Sequence, residues 1–238
     1  MPVELTAEQF IKKLYELLPE GEPRLQRDKK VKGDEEYLGL PLASVFSLAK
    51  EFTFMPPAEI EKLLESSVYE IKVGGVSIMD WRARSKKTSE ETRKELFDLY
   101  IRRHDRINNW MLVDRSAPYV VGGYLADKPR DILYRLARSD DPMERRTAIV
   151  STYYFIRKGD LDDTFKIAEI LVNDENDLVQ KAVGGWIREA GKKDTARLLT
   201  FLDQYAAVMP RTMLRYAIEH LDRAQKDYYL GLKKNRRP

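Results

Sequence analysis

Apolar residues at a helical spacing recur along almost the whole chain, and this pattern constrains the fold more than any other feature. They fall in segments of about 10 to 18 residues with a period near 3.6, which places one apolar face on an α-helix. Short breaks that carry Pro, Gly, Asp or Asn separate the segments. The pattern therefore predicts an all-α fold. The clearest breaks fall at residues 19–23, 41, 55–57, 85–89, 128–129, 140–142, 159–160, 173–177, 191–194 and 210.

A repeat appears in the second half of the chain. Ala148 and Ala182 are 34 residues apart, and a further step of 35 reaches Ala217 in a similar helical pattern. Helical pairs of this length cannot bury their apolar faces alone, so they stack on their neighbours. The sequence therefore predicts a curved solenoid of HEAT-like antiparallel helical repeats. The alternative is a chance match, because the faces of amphipathic helices resemble one another.

Composition indicates an ordinary globular protein. The chain has 238 residues, of which 43% are hydrophobic and 34% are charged, enough to bury a substantial core. We expect a single helical domain over residues 1–238. Residues 24–36 carry many charges and few apolar side chains, which predicts a mobile connection. Residues 231–238 form a basic tail.

Several classes of function are disfavoured by the residues that the chain lacks. There is no cysteine, which excludes disulfides and thiolate chemistry, and two histidines leave little for a zinc site. We therefore expect no metal and no cofactor. No apolar run approaches the roughly 20 residues needed to cross a bilayer, and no signal peptide is evident, so we expect a cytoplasmic protein without membrane contact. The net charge of +3 means that an anionic partner must meet a local basic face.

Trp110 and Asp114 stand four residues apart in a helical segment. At that spacing both side chains lie on one face of the helix, one turn apart. A ring face and a carboxylate both attract positive charge, so the pair could hold a cationic ligand. The alternative is an aromatic side chain that only packs, beside a solvated carboxylate.

Six short motifs follow one another in order within residues 36–230. They are NWMLVD at 109–114, SAP at 116–118, ERRTAIV at 144–150, DLDD at 160–163, KAVG at 181–184 with RE at 188–189, and MPRTMLRYAIE at 209–219. In this order they resemble the AlkD-like DNA alkylation repair proteins. The resemblance implies a HEAT-like solenoid with a basic concave groove around duplex DNA. It also implies N-glycosylase activity that removes purines alkylated at N3 or N7.

The resemblance assigns roles to individual residues of this chain. Asp114 would stabilise a cationic sugar and orient a water, and Trp110 would present its ring to the cationic nucleotide. Arg146 corresponds to the family's arginine near the lesion, and Arg145 lies beside it, where phosphate is the expected target. The implied partner is double-stranded DNA with alkylated bases, bound by a monomer.

Two further arginines near the start of the last repeat helix are candidates for DNA contact. Arg211 and Arg215 are one helical turn apart and could face phosphate in the groove. The alternative is an ion pair along the helix with Glu219.

Some positions depart from the pattern of the family. The family's second indole beside the lesion aligns with Gly185, and the tryptophan stands one place later, at Trp186. One residue turns a helix by about 100°, so Trp186 faces DNA only if the helix is overwound or bulged there, and otherwise packs in the core. Met111 and Met143 replace residues common in relatives, and residues 37–39 and 69–72 match only loosely. The alternative function is therefore a non-catalytic HEAT-like DNA-binding or scaffold protein.

Overall fold

The prediction of an all-α fold is confirmed. A computed structural model describes residues 5–19, 26–27 and 36–232, and helices joined by short turns make up most of these residues. Helices begin directly after the breaks at Pro41, Pro56 and Pro210, where proline stops the preceding segment. The helices are α1 (Ala7–Glu16), α2 (Leu42–Glu51), α3 (Pro57–Leu64), α4 (Tyr69–Arg84), α5 (Glu90–Arg102), α6 (Trp110–Ala117), α7 (Asp131–Leu136), α8 (Pro142–Ser151), α9 (Tyr153–Lys158), α10 (Asp162–Ile170), α11 (Asp177–Gly191), α12 (Thr195–Tyr205), α13 (Arg211–Ala217) and α14 (Arg223–Gly231).

One short strand pairing accompanies the helices. Strand β1 (Gln26–Arg27) pairs antiparallel with β2 (Glu36–Tyr37). The pairing ties the start of the predicted mobile connection, residues 24–36, to its end. The rest of that connection lies outside the described residues, as does most of the predicted basic tail, because the description ends one residue after α14.

Contacts divide the chain into two compact units. Unit 1 is Met1–Tyr124 and unit 2 is Leu125–Pro238. A single domain over the whole chain therefore stays a prediction. Among the described residues, no helix is both long and apolar enough to span a membrane.

Unit 1 has two layers of helices. Helices α2, α4 and α6 pack side by side in one layer, and α1, α3 and α5 form the other. Near its start α4 carries Lys72, whose Nζ donates to Asn108 just before α6. Five and eight residues further along α4, Ser77 and Asp80 contact Arg115 of α6. Helices α4 and α6 therefore run in the same direction, as equivalent helices of stacked repeats do.

Unit 2 has a similar arrangement, and the helices of one layer follow one another at the spacing that the repeat predicts. Helices α8, α11 and α13 pack in sequence, and they carry the aligned and buried Ala148, Ala182 and Ala217. In the other layer, Phe165 of α10 contacts Phe201 of α12 with ring centroids 5.7 Å apart. Small residues at equivalent positions allow successive helices to approach closely.

Two adjacent glycines of α11 differ in the space around them, one crowded and one open. Alanine is therefore expected to have opposite effects on stability at the two positions. A Cβ at Gly184 would lie 2.3 Å from the backbone oxygen of Met213, whereas a Cβ at Gly185 would meet nothing within 4 Å. We expect Gly184→Ala to lower the free energy of unfolding by about 1–3 kcal/mol, because α13 must move away.

Gly185→Ala is the matched control. Because alanine restricts the unfolded chain and adds no clash, we expect it to raise the free energy of unfolding by about 0.5–1 kcal/mol. Urea unfolding of the two variants measures the difference. Equal free energies for both variants would contradict the close contact between α11 and α13.

Candidate nucleic-acid interface

Helix α6 presents Trp110 and Asp114 on one face. The Asn109 side chain caps the helix by accepting a hydrogen bond from the Met111 amide at 2.9 Å, so Trp110 is its first residue. Trp110 is 41% exposed and Asp114 is half-buried, whereas Leu112 and Val113 between them are fully buried. The apolar residues of α6 thus fix the helix rotation that directs the indole and the carboxylate outward.

An ion pair inside unit 1 holds α6 against α4. Arg115 donates through Nε to Ser77 Oγ at 3.1 Å, and its Nη1 lies 3.1 Å from Oδ2 of the fully buried Asp80. Burial raises the pKa of the Asp80 carboxyl, although Arg115 and Arg84 oppose that shift. Burial also lowers the pKa of Arg115. Arg115 is next to Asp114, so this pair fixes the position of the candidate carboxylate.

Arg146 and Arg145 lie on α8 in unit 2 and make different contacts. Arg146 is buried and donates through Nη1 to the Leu178 carbonyl oxygen at the start of α11. Arg145 makes two hydrogen bonds to the Asp174 carboxylate, at 2.6 and 3.2 Å. This pairing raises the pKa of Arg145. A phosphate contact of Arg145 stays a prediction, and it would require phosphate to replace Asp174.

Trp186 lies half-buried on α11 and packs against Tyr153. Their ring centroids are 5.1 Å apart and the ring planes are tilted by 47°. Helix α11 is continuous from Asp177 to Gly191, so the bulge that would return Trp186 to the family's position is not present in this helix. Gly185, the position that aligns with the family's indole, faces open space.

Arg211 and Arg215 are both exposed on α13. Arg211 donates through Nη2 to the Leu232 carbonyl oxygen at 2.7 Å. The sequence suggested an ion pair with Glu219 as the alternative to phosphate contact for these two arginines. Glu219 instead forms its ion pair with Arg188 of α11. Arg215 is exposed, and among the described residues it forms no ion pair with Glu219.

The predicted site residues fall into two groups. Trp110 and Asp114 lie together on α6 in unit 1. The cations Arg145 and Arg146 and the indole of Trp186 lie on the adjacent helices α8 and α11 of unit 2. Arg211 and Arg215 follow on the next helix of that layer, α13.

The sequence analysis did not single out Glu70, which is fully buried at the start of α4. Its carboxylate accepts hydrogen bonds from the backbone amides of Leu38, Gly39 and Leu40 at 3.0, 2.8 and 3.3 Å. Gly39 has a φ of 74°, which glycine adopts without strain. Residues 37–39 and 69–72 both match the family loosely, and the structure brings these two segments into contact through Glu70. These two loose matches were the signal in the sequence that could have identified Glu70.

Comparisons with known proteins agree with this architecture. The family model described as DNA alkylation repair enzyme matches residues 16–221. None of the curated proteins matches the sequence. A solved structure, a predicted DNA alkylation repair enzyme from Enterococcus faecalis, aligns with a TM-score of 0.64 over 94% of this chain and 100% of that chain. Their sequence identity is 16%, so this likeness shows the fold alone. Because the family model covers most of its length, the chain belongs to the DNA alkylation repair enzyme family, which gives it a role in DNA repair.

Proposed function

We propose that the protein is a DNA glycosylase that removes purines carrying a positive charge from N3 or N7 alkylation. The observation that supports it best is the pairing of Trp110 and Asp114 on the outward face of α6, in a member of this family. An exposed ring and a neighbouring carboxylate are both complementary to positive charge. The substrate supplies such charge on the base and, during reaction, on the sugar.

Bond cleavage in this reaction demands little acid catalysis. The glycosidic bond between C1′ and N9 breaks, and its electron pair stays on the base, which thereby loses its positive charge. The charge passes to the sugar, which becomes oxocarbenium-like. Asp114 stabilises that cation electrostatically, and a water oriented by the carboxylate bonds to C1′ and loses a proton. The cationic leaving group explains why the proposal includes no metal and no cofactor.

Unit 2 supplies the cations in this proposal. Arg211 and Arg215 contact backbone phosphates of duplex DNA, and Arg145 joins them if phosphate displaces Asp174. A phosphate contact of Arg146 stays a prediction, because its guanidinium is buried and donates to the Leu178 carbonyl oxygen. A contact of Trp186 with the duplex stays a prediction, because its indole packs against Tyr153. Phosphate contacts position the duplex and carry no information about the lesion, so recognition of charge falls to Trp110 and Asp114.

Release of free bases tests the proposed activity. Methylated duplex DNA is incubated with and without the protein, and free 7-methylguanine and 3-methyladenine are quantified by chromatography. We expect release well above the spontaneous rate. Spontaneous release only, with DNA binding retained, would support a non-catalytic DNA-binding protein instead. The contact between Trp186 and Tyr153 and the pairing of Arg145 with Asp174 are the observations that favour this second candidate.

Trp110→Ala should weaken recognition of the charged base more than it weakens general DNA binding. A cation–ring contact contributes about 0.5–2 kcal/mol, so we expect the dissociation constant for alkylated duplex to rise by about 2- to 30-fold. Trp110→Phe keeps a ring and should lose less. Fluorescence anisotropy with alkylated and undamaged duplexes measures the effect. An equal loss for both duplexes would contradict recognition of charge by this ring.

A further inference from the structure

A second group of cations and rings lies in unit 1, apart from the predicted site residues. It consists of Lys50, Arg84 and Arg115 with the rings of Phe46, Trp81 and Tyr119, and it is called here the cation–ring cluster. These side chains belong to α2, α4 and α6 and to the π-helical turn Pro118–Gly122 that follows α6. The cluster therefore joins the three helices that form one layer of the unit.

Rings hold each cation of the cluster in place. The Arg115 guanidinium carbon is 4.6 Å from the Phe46 ring centroid and 5.2 Å from that of Trp81. Lys50 Nζ lies 5.3 Å from the centroid of the Trp81 ring. Trp81 itself is fixed, because its Nε1 donates to the Phe46 carbonyl oxygen at 3.3 Å. Such contacts restrict the motion of long cationic side chains.

Arg84 is held by a ring and by a carboxylate. Its guanidinium carbon lies 3.7 Å from the centroid of the Tyr119 ring, and its Nε donates to Asp80 Oδ1 at 2.8 Å. Within the part of the chain that the structure describes, no acceptor contacts the Nη groups of Arg84. The side chain is 37% exposed, so these donors face solvent. A fixed guanidinium with outward donors is preorganised for a phosphate group.

The charges in the cluster do not balance. The cluster has three cations, Lys50, Arg84 and Arg115. Its two arginines contact one carboxylate, that of Asp80, which is fully buried. Lys50 is exposed, and no carboxylate among the described residues lies within ion-pair distance of it. The exposed side of the cluster is therefore positive, which complements a chain of phosphates.

The cluster lies on the same helical layer as Trp110 and Asp114. Arg115, a member of the cluster, directly follows Asp114 and reaches Ser77 of the parallel helix α4. Arg115 and Arg84 also contact the same carboxylate, that of Asp80. One bound duplex could thus reach both places.

We propose that Arg84 and Lys50 form a phosphodiester-binding site for the DNA backbone, on the same helical layer as the nucleotide held at Trp110 and Asp114. The placement beside that nucleotide rests on the proposed function, whereas backbone binding does not. Trp81 and Tyr119 act as positioning residues that keep the cations aimed outward. Because the site recognises phosphate, it binds damaged and undamaged duplex alike.

The salt dependence of binding to an undamaged duplex tests this site. Each lost phosphate contact reduces the slope of log K against log salt by about 0.9. We expect Lys50→Gln and Arg84→Gln each to reduce the slope by about that amount, and the double variant by about twice as much. Lys94→Gln is the control, because Lys94 is also exposed but lies on α5 in the other layer. The proposal would be overturned if the Lys50→Gln and Arg84→Gln variants had the same slope as the Lys94→Gln control.

Two features of the design keep the test independent of folding and catalysis. Lys50 contacts no described carboxylate, so Lys50→Gln reports on DNA contact even if Arg84→Gln disturbs the buried Asp80. Undamaged DNA requires no base release. Reduced slopes without glycosylase activity would uphold this site and refute the proposed reaction. Glycosylase activity with unchanged slopes would refute this site alone.

Discussion

Asp114→Asn is expected to lower the single-turnover rate of alkylpurine release by about 10²- to 10³-fold, the usual cost of removing one preorganised electrostatic group from a transition state. The amide keeps the shape of the side chain but carries no negative charge to oppose the cationic sugar. Affinity for the damaged duplex should change much less than the rate, because the full sugar charge exists only in the transition state.

Asp131→Asn is the control for this experiment, since Asp131 is an exposed carboxylate at the start of α7. It should release bases at the rate of the unmodified protein. Both variants should give the same circular dichroism spectrum, because Asp114 lies on the outward face of α6. Base release by Asp114→Asn within tenfold of the unmodified protein would refute the catalytic role of this carboxylate.

The largest stability effect is expected for Glu70→Ala. This change leaves three amides, those of Leu38, Gly39 and Leu40, without the acceptor that they share. An unsatisfied buried donor costs about 1–3 kcal/mol, and relaxation of the loop recovers part of the sum. We therefore expect the free energy of unfolding to fall by about 3–5 kcal/mol. Urea unfolding measures it.

Glu70→Gln serves as the matched variant for that experiment. Its amide oxygen still accepts hydrogen bonds, whereas its amide nitrogen faces a donor, so an intermediate loss is expected. If both variants unfolded at the same urea concentration as the unmodified protein, the carboxylate would not be the group that holds residues 38–40.

The sequence was sufficient for the helical breaks and for the repeat. Proline before α2, α3 and α13 lacks the N–H that a continuous helix would need and disfavours helical backbone at the residue before it, so these boundaries are local properties. The period that relates Ala148, Ala182 and Ala217 is also visible, because equivalent helices must place small residues at equivalent contacts. These features depend on short segments or on regular spacing.

The partners of charged residues could not be predicted in the same way. Helical periodicity shows which face is buried, but not that Asp80 meets Arg115 or that Arg145 meets Asp174, because these residues come from helices or turns far apart in sequence. Arg146 is a further example: the sequence does not indicate that its guanidinium donates to the Leu178 carbonyl oxygen, and its phosphate contact stays a prediction. Trp81 was overlooked because its neighbours in sequence are charged and its ring contacts come from α2 and α6.

The three tryptophans have different surroundings, so the intrinsic fluorescence of the protein can report on ligand binding. Trp110 is exposed to water, Trp81 is enclosed by cations, and Trp186 packs against a tyrosine ring. Emission from an indole shifts with the polarity around it, so these residues should fluoresce at distinguishable wavelengths. Binding of a ligand at α6 would then be visible as a blue shift of the most red-shifted component, without any attached dye.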